Sequence, residues 1–215
     1  MMNRIMSFGI DVRWRNIAAK KIVEGIGENS SVLDIATGTG DLALAIYNLA
    51  ENSNKKIELY AMDMNKEMIE IAKKKFGNKK ISVMRGDALK IPYPDNFFDA
   101  VSVGFGTRNF DDLKSFSYEM MRVLKCNGFF VIMDMALPKK KYQRMFFKFY
   151  FQIIRFWGHF IDRESYEWLI SSIEHFDFEK FKVILEKSGF KNVRYDPLSF
   201  GITYVIVGEK QPEKL

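Results

Sequence analysis

Asp63 closes the apolar run Ile57–Met62, and Asp87 follows the run Ile81–Arg85 across a single glycine, Gly86. A carboxylate at the first position can accept hydrogen bonds from both hydroxyls of a ribose, with Met64 beside it. A carboxylate at the second can accept from an exocyclic adenine amine, and the small side chain of Ala88 leaves room for a flat base. Upstream, Val32-Leu33-Asp34-Ile35 runs into Ala36-Thr37-Gly38-Thr39-Gly40-Asp41. This pattern reads as a buried strand, a glycine turn and a helix start. Gly38 and Gly40 let the backbone approach a ligand without Cβ clashes, and the helix start aims free N–H groups into the turn. Gly38-x-Gly40-x-x-Ala43 also fits a loose dinucleotide fingerprint. One acid for ribose and another for adenine, on successive strand ends, suit S-adenosylmethionine better than NAD, because a dinucleotide needs room past the turn for a second nucleotide. Asp34 is expected either to meet the methionine ammonium or to order the turn.

These residues need an alternating frame to hold them. A helix is expected over Asp11–Gly25, with Trp14, Ile17, Ala18, Ile22 and Val23 on one face. The alternating block spans about Ser31 to Asp134, with helices near Asp41–Ala50, Lys66–Phe76 and Asp111–Leu124 and a strand at Phe98–Val103. Asn127-Gly128 reads as a turn before a strand at Phe129–Met133. Pro138 breaks the pattern, and from about 139 to 176 an aromatic-rich helical segment interrupts the sheet. A helix over Asp177–Ser188 stops at Gly189, and strands near Val193–Tyr195 and Ile202–Val207 close the chain.

The 215 residues suggest a single domain, 1–215, that includes this helical insertion, and an apolar content of 47% is enough for a full core. Cys126 is the only cysteine, so no intrachain disulfide can form, which fits a reducing cytoplasm. No secretory signal and no bilayer-spanning run is evident. The net charge of +6 permits contact with an anionic surface without establishing it.

Several further segments, taken in order, resemble the class I S-adenosylmethionine-dependent methyltransferases, and more narrowly the ubiquinone/menaquinone-biosynthesis C-methyltransferase family. They are Met6-Ser7-Phe8-Gly9-Ile10-Asp11 with Trp14-Arg15, Gly86-Asp87-Ala88 leading to Pro92-Tyr93-Pro94-Asp95, and Phe105-Gly106-Thr107-Arg108-Asn109. Glu119-Met120-x-Arg122-Val123-Leu124-Lys125, Tyr166-x-x-Leu169-x-x-Ser172-Ile173 and Phe200-Gly201-Ile202 complete the set. The resemblance implies an α/β, Rossmann-like fold: a seven-stranded, mostly parallel sheet with helices on both faces, an antiparallel final strand and a helical lid at 139–176. It implies S-adenosylmethionine contacts at Thr39, Asp63, Asp87 and Ala88, and places Arg108 and Asn109 beside a quinol ring. Where relatives carry a serine before the Phe-Gly, this chain has Gly104, which leaves a backbone contact. Relatives also begin with roughly two dozen more residues that fold over the site. The resemblance therefore implies either a missing N-terminal lid or a start further upstream.

The implied reaction moves a methyl group from a sulfonium to a ring carbon of a polyprenylated quinol. Arg108 would stabilise a developing phenolate or hold a water that takes the proton, and Asn109 would orient that hydroxyl or water. The structural alternative pairs Arg108 with Asp111 or Asp112 and makes Asn109 a helix cap. His159 and His175 have no metal-ligand spacing and no metal is expected; nothing marks Cys126 as a nucleophile. Lys141, Arg144, Lys148, Gln152 and Arg155 form a basic stripe beside an aromatic face over 141–161. This suits a lid or a homodimer contact, or a helix lying on anionic lipid. Other acceptors, including a different lipid or aromatic metabolite, and a non-catalytic cofactor-binding protein remain open. Nucleic acid is not an expected partner, because Gly104-Phe105-Gly106-Thr107 stands where amino-methylating relatives carry an Asn/Asp-Pro-Pro-aromatic run.

Overall fold

The computed structural model describes residue 7, residues 9–158 and residues 163–212. The expectations for the N-terminal segment and for His159 lie outside the described residues, as do the side chains of 153–163, 165 and 166.

In chain order the elements are α1 (Asp11–Gly25), β1 (Ser30–Ile35), α2 (Asp41–Asn52), β2 (Ile57–Asp63), α3 (Lys66–Phe76), β3 (Ile81–Arg85) and β4 (Phe98–Gly104). A 3-10 turn at Thr107–Asn109 leads to α4 (Leu113–Val123), β5 (Leu124–Met135), α5 (Lys141–Gly158) and α6 (Arg163–His175). The chain closes with α7 (Phe178–Lys187), β6 (Lys191–Leu198), a 3-10 turn at Ser199–Gly201 and β7 (Thr203–Glu209).

The seven strands form one sheet in the order β3-β2-β1-β4-β5-β7-β6. Pairings from β3 through β5 are parallel, and β7 runs antiparallel to both its neighbours. β1 is buried along its whole length, as a central strand covered on both faces must be. Its alternate residues feed two cores. Val32 packs with Ile22, Ile46 and Phe76 from α1, α2 and α3, and with Phe151 and Ile170 from α5 and α6. Leu33 and Ile35 pack with Phe116 and Met120 of α4 and Phe181 and Leu185 of α7.

Local signals account for most boundaries. Asn65 caps α3 by accepting from the amides of Glu67 and Met68 at 2.8 and 3.3 Å, and Gly77 ends the helix at φ +56°. Asp177 caps α7 in the same way, each cap satisfying otherwise orphaned N–H groups. α4 starts at Leu113 rather than Asp111, because Asp112 turns outward and its carboxylate accepts from Lys114 and Ser115, both at 3.0 Å.

β5 departs furthest from expectation. Asn127-Gly128 lies inside the strand rather than before it. Asn127 takes a left-handed φ of +65°, its amide donates to the Lys210 carbonyl at 2.8 Å and the Lys210 amide returns to Gly128. The register against β4 shifts at this bulge, so cross-strand pairing outweighs the local turn preference. No helix among the described residues is long and apolar enough to cross a membrane.

Candidate cofactor and acceptor site

A cleft of about 760 Å³ opens at the carboxyl ends of β1, β2 and β4, where open α/β sheets bind ligands at the point of strand-order reversal. Every residue lining it lies between Asp11 and Phe110. Asp34, Gly38, Thr39, Asp63, Met64, Asp87, Ala88, Gly104 and Asn109 all line it. Gly40 stands just behind, as the N-cap of α2.

The floor is the turn between β1 and α2. Gly38 and Gly40 have φ of +54° and +79°, which glycine adopts at no steric cost. A Cβ on Gly40 would also sit 2.4 Å from the Phe76 ring. With Gly40 as N-cap, no N-cap side chain covers the start of α2; the Ala43 amide bonds to Asp34, and the amides ahead of it can meet a ligand. Thr39 Oγ1 donates to Asp41 at 3.0 Å. The turn after β4 leans on this floor: Ala36 and Phe105 both have positive φ, +51° and +63°. A Cβ on Gly106 would meet that of Ala36 at 2.7 Å.

Asp63, at the end of β2, accepts from the Gly38 amide at 2.8 Å with one oxygen and from the Asn65 amide at 2.8 Å with the other. These bonds fix its carboxylate against the turn and leave lone pairs for further donors. Asp87 accepts from the Leu89 amide at 2.8 Å, next to the buried Ala88 and across from the exposed Met64. Gly104 has a packing reason of its own, since a Cβ there would lie 3.0 Å from Leu42. A side chain there needs that Leu42 methyl to give way by a few tenths of an ångström.

Asp34 has no solvent access and accepts from Ser102 Oγ and Thr37 Oγ1, each at 2.6 Å. Burial pushes its carboxyl up to about 6, against the opposing pull of those two hydroxyls and the more distant Arg15.

Arg108 and Asn109 part company. The Arg108 side chain is buried, ion-paired with Asp134 at the end of β5, and its Nε donates to Ser172 of α6 at 3.2 Å. Its partner is therefore neither Asp111 nor Asp112. Asn109 is exposed at the cleft, and Asp112, not Asn109, caps the helix.

Periodicity did not single out Asp134, Ser102 or Ser172, whose partners lie far away in sequence. Asp11 and Arg15 form an ion pair at the cleft; their i, i+4 spacing on α1 is the signal that could have found them. His175 hydrogen-bonds within its own helix, with Nδ1 2.8 Å from the Ser171 carbonyl, and Cys126 is exposed. No group of three His, Cys, Asp or Glu among the described residues could hold a metal ion.

The donor set suits S-adenosylmethionine: positive-φ glycines under a close backbone approach, an uncapped helix start, and acids spaced for a nucleoside. Comparisons with known proteins agree. The profile of the ubiE/COQ5 methyltransferase family matches residues 1–210. The ubiquinone/menaquinone biosynthesis C-methyltransferase UbiE of Rickettsia akari is 38% identical, over 98% of this chain and 87% of that protein. The protein of the same name from Geotalea uraniireducens is 37% identical, over 97% and 90%. Among solved structures, a SAM-dependent methyltransferase from Aquifex aeolicus superposes with a TM-score of 0.62 at 23% identity, covering 89% of each chain. The [4+2]-cyclase SpnF reaches 0.70 at 15% identity, over 93% of this chain and 80% of its own, so the fold alone does not name the reaction. The glycine turn, the strand-end acids and the family match along nearly the whole chain lead to one conclusion: this chain belongs to the ubiE/COQ5 methyltransferase family and is an S-adenosylmethionine-dependent methyltransferase.

Proposed function

We propose that the chain methylates a ring carbon of a polyprenylated quinol in menaquinone or ubiquinone biosynthesis, the activity carried in the names of its Rickettsia and Geotalea relatives. The observation that carries the reading is that Asp63 and Asp87, at successive strand ends, share one cleft with the uncapped start of α2 and with the exposed Asn109.

When bound, S-adenosylmethionine supplies a methyl group already activated on a sulfonium. The protein then has to align that group with a nucleophilic ring carbon and handle one phenolic proton. In this reading Asp63 accepts from the ribose hydroxyls, Asp87 accepts from the adenine amine over Ala88, and Gly38, Thr39, Gly40, Met64 and Gly104 shape the backbone and wall around them. Asn109 meets the acceptor hydroxyl, or a water beside it. Arg108 does not line the cleft but works from behind: held by Asp134 and Ser172, it fixes the 107–109 turn that carries Asn109.

The 139–176 segment acts as the lid and delivers the acceptor. The exposed side chains of α5 split into two neighbouring sectors. Tyr142, Met145, Phe146 and Phe149 form an apolar one, and Lys141, Arg144, Lys148 and Gln152 a basic one. Phe147 and Phe151 face the core. An apolar sector edged by cations suits an anionic lipid surface, where an isoprenoid-tailed quinol resides.

The test is calorimetric titration with S-adenosylmethionine, repeated with Asp63→Ala and with NAD, followed by turnover of demethylmenaquinol. The reading expects micromolar binding that is lost in Asp63→Ala, no response to NAD, and methylated quinone as product. Binding with no turnover of any quinol would transfer the site to another acceptor; tight NAD binding would remove the reading altogether.

A further inference from the structure

At one end of the cleft stand the two acids of the nucleoside, Asp63 and Asp87. At the other end the charges are mixed. Asp34, next to last in β1, has no solvent access, and Arg15 reaches the same cleft from α1. Arg15 is only 14% exposed, and it is held from its own helix by Asp11, which is 3% exposed. Its guanidinium also rests over the Phe105 ring, 5.1 Å from the centroid, and Phe105 itself is fixed by its left-handed backbone. Three neighbours thus hold the guanidinium at the cleft wall: a carboxylate one turn back, an aromatic face, and the helix to which it belongs. Arg15 and Asp34 are close enough for the positive charge of one to be felt at the other.

We infer that Arg15 is the carboxylate-binding residue of this site: it holds the α-carboxylate of the amino-acid end of S-adenosylmethionine, with Asp11 as its positioning residue. The inference rests on the cofactor reading above and adds the recognition of that end. An α-amino acid is a zwitterion, and Arg15 with the neighbouring Asp34 offers a group of opposite sign to each of its two charges. A guanidinium presents five donors in a planar fork. One nitrogen serves Asp11, and the others can face a second carboxylate in the geometry that arginine favours. The competing cation is Lys75, which also lines the cleft. Its ammonium lies 2.8 Å from Asp41, with side-chain exposures of 30% and 41%. That pair is more open to solvent than Arg15 and Asp11, at 14% and 3%, and holds its lysine less firmly.

The experiment compares two ligands on four proteins by calorimetry. The ligands are S-adenosylmethionine and its decarboxylated analogue, which keeps the nucleoside, the sulfonium and the amine. The proteins are the unaltered chain, Arg15→Gln, Arg15→Lys and Lys75→Ala. The unaltered chain should bind S-adenosylmethionine about 10- to 100-fold more tightly than the analogue, the range of a charge-assisted hydrogen bond. Arg15→Gln should erase that preference while leaving affinity for the analogue within about threefold, a change worth less than 1 kcal/mol. Arg15→Lys should keep part of the preference, and Lys75→Ala all of it. Equal loss for both ligands in Arg15→Gln would make the residue structural and overturn the inference, as would a preference that disappears with Lys75 instead. Failure of the unaltered chain to bind either ligand would strike the cofactor reading itself, and the two failures are therefore distinct. Circular dichroism and the analogue's own affinity report whether each variant is folded.

Discussion

Arg108 and Asp134 form an ion pair almost wholly withdrawn from water, with side-chain exposures of 2% and 0%. Asp134 also accepts from Thr107 Oγ1 at 2.6 Å and from the Arg108 and Met135 amides at 3.1 and 2.8 Å. The end of β5 is thereby tied to the turn that carries Asn109. Through Ser172 it is tied to α6 as well.

Removing one charge of such a pair strands the other, whereas replacing both by apolar groups does not. Asp134→Ala should cost about 3–5 kcal/mol of unfolding free energy, read by urea denaturation. Arg108→Met combined with Asp134→Leu should recover much of that loss and yet remain inactive, because the 107–109 turn loses its anchor. A double variant as unstable as the single one would mean that the hydrogen bonds, rather than the charges, carry the stability.

Asp34 gives the site a pH dependence of known sign. Its folded pKa of about 6 lies above the ordinary 3.8, so between these values the native protein holds more protons at this group than the unfolded chain. Stability attributable to Asp34 therefore falls as pH rises through that window. Ligand binding should run the other way under the proposal that Asp34 faces the cofactor amine: the cation then needs an ionised carboxylate, and the dissociation constant for S-adenosylmethionine rises as pH drops below about 6, by at most tenfold per unit. In Asp34→Asn both dependences should flatten; urea titrations and calorimetry across pH 4.5–8 measure them.

Two glycines of the same turn should respond differently to a methyl group. Gly38→Ala meets nothing within 4 Å and carries only the left-handed backbone cost, about 1–2 kcal/mol. Gly40→Ala adds a collision with the Phe76 ring at 2.4 Å and should lose distinctly more stability, by thermal melting. Trimming the ring in Gly40→Ala/Phe76→Leu should return part of the difference, beyond what Phe76→Leu alone predicts.

The outer face of α5 can be tested without touching the cleft. Met145→Glu with Phe149→Glu places two anions in the exposed apolar sector. Sedimentation with vesicles of phosphatidylglycerol should drop at least fivefold, with melting temperature preserved. Loss of self-association in buffer without vesicles would assign the sector to a second copy of the chain instead.

Much of this arrangement was legible from local pattern. α1, α3 and β3 lie where residue periodicity and flanking signals put them, because each is bounded by its own turn or cap residues. The strand-end acids were legible because a carboxylate closing an apolar run is a local feature. What escaped was long-range. Asn127-Gly128 carries every mark of a turn, and only its pairing with Lys210, at the far end of the chain, makes it a bulge. Arg108 has two acids within four residues, yet its partner is 26 residues away, since β5 ends beside β4 in the sheet. Gly104, conspicuous as a departure from relatives, lies close against Leu42 of α2, a neighbour that its own segment does not announce.

The cleft draws all its walls from Asp11 to Phe110, while α5 and α6 follow in the second half of the chain. In the proposed reading the grip on the methyl donor is written in the first half of the chain and the lid in the second, with Asn109 the acceptor contact that lies on the donor side. Substitutions confined to the exposed face of α5 should therefore leave the affinity for S-adenosylmethionine as it is.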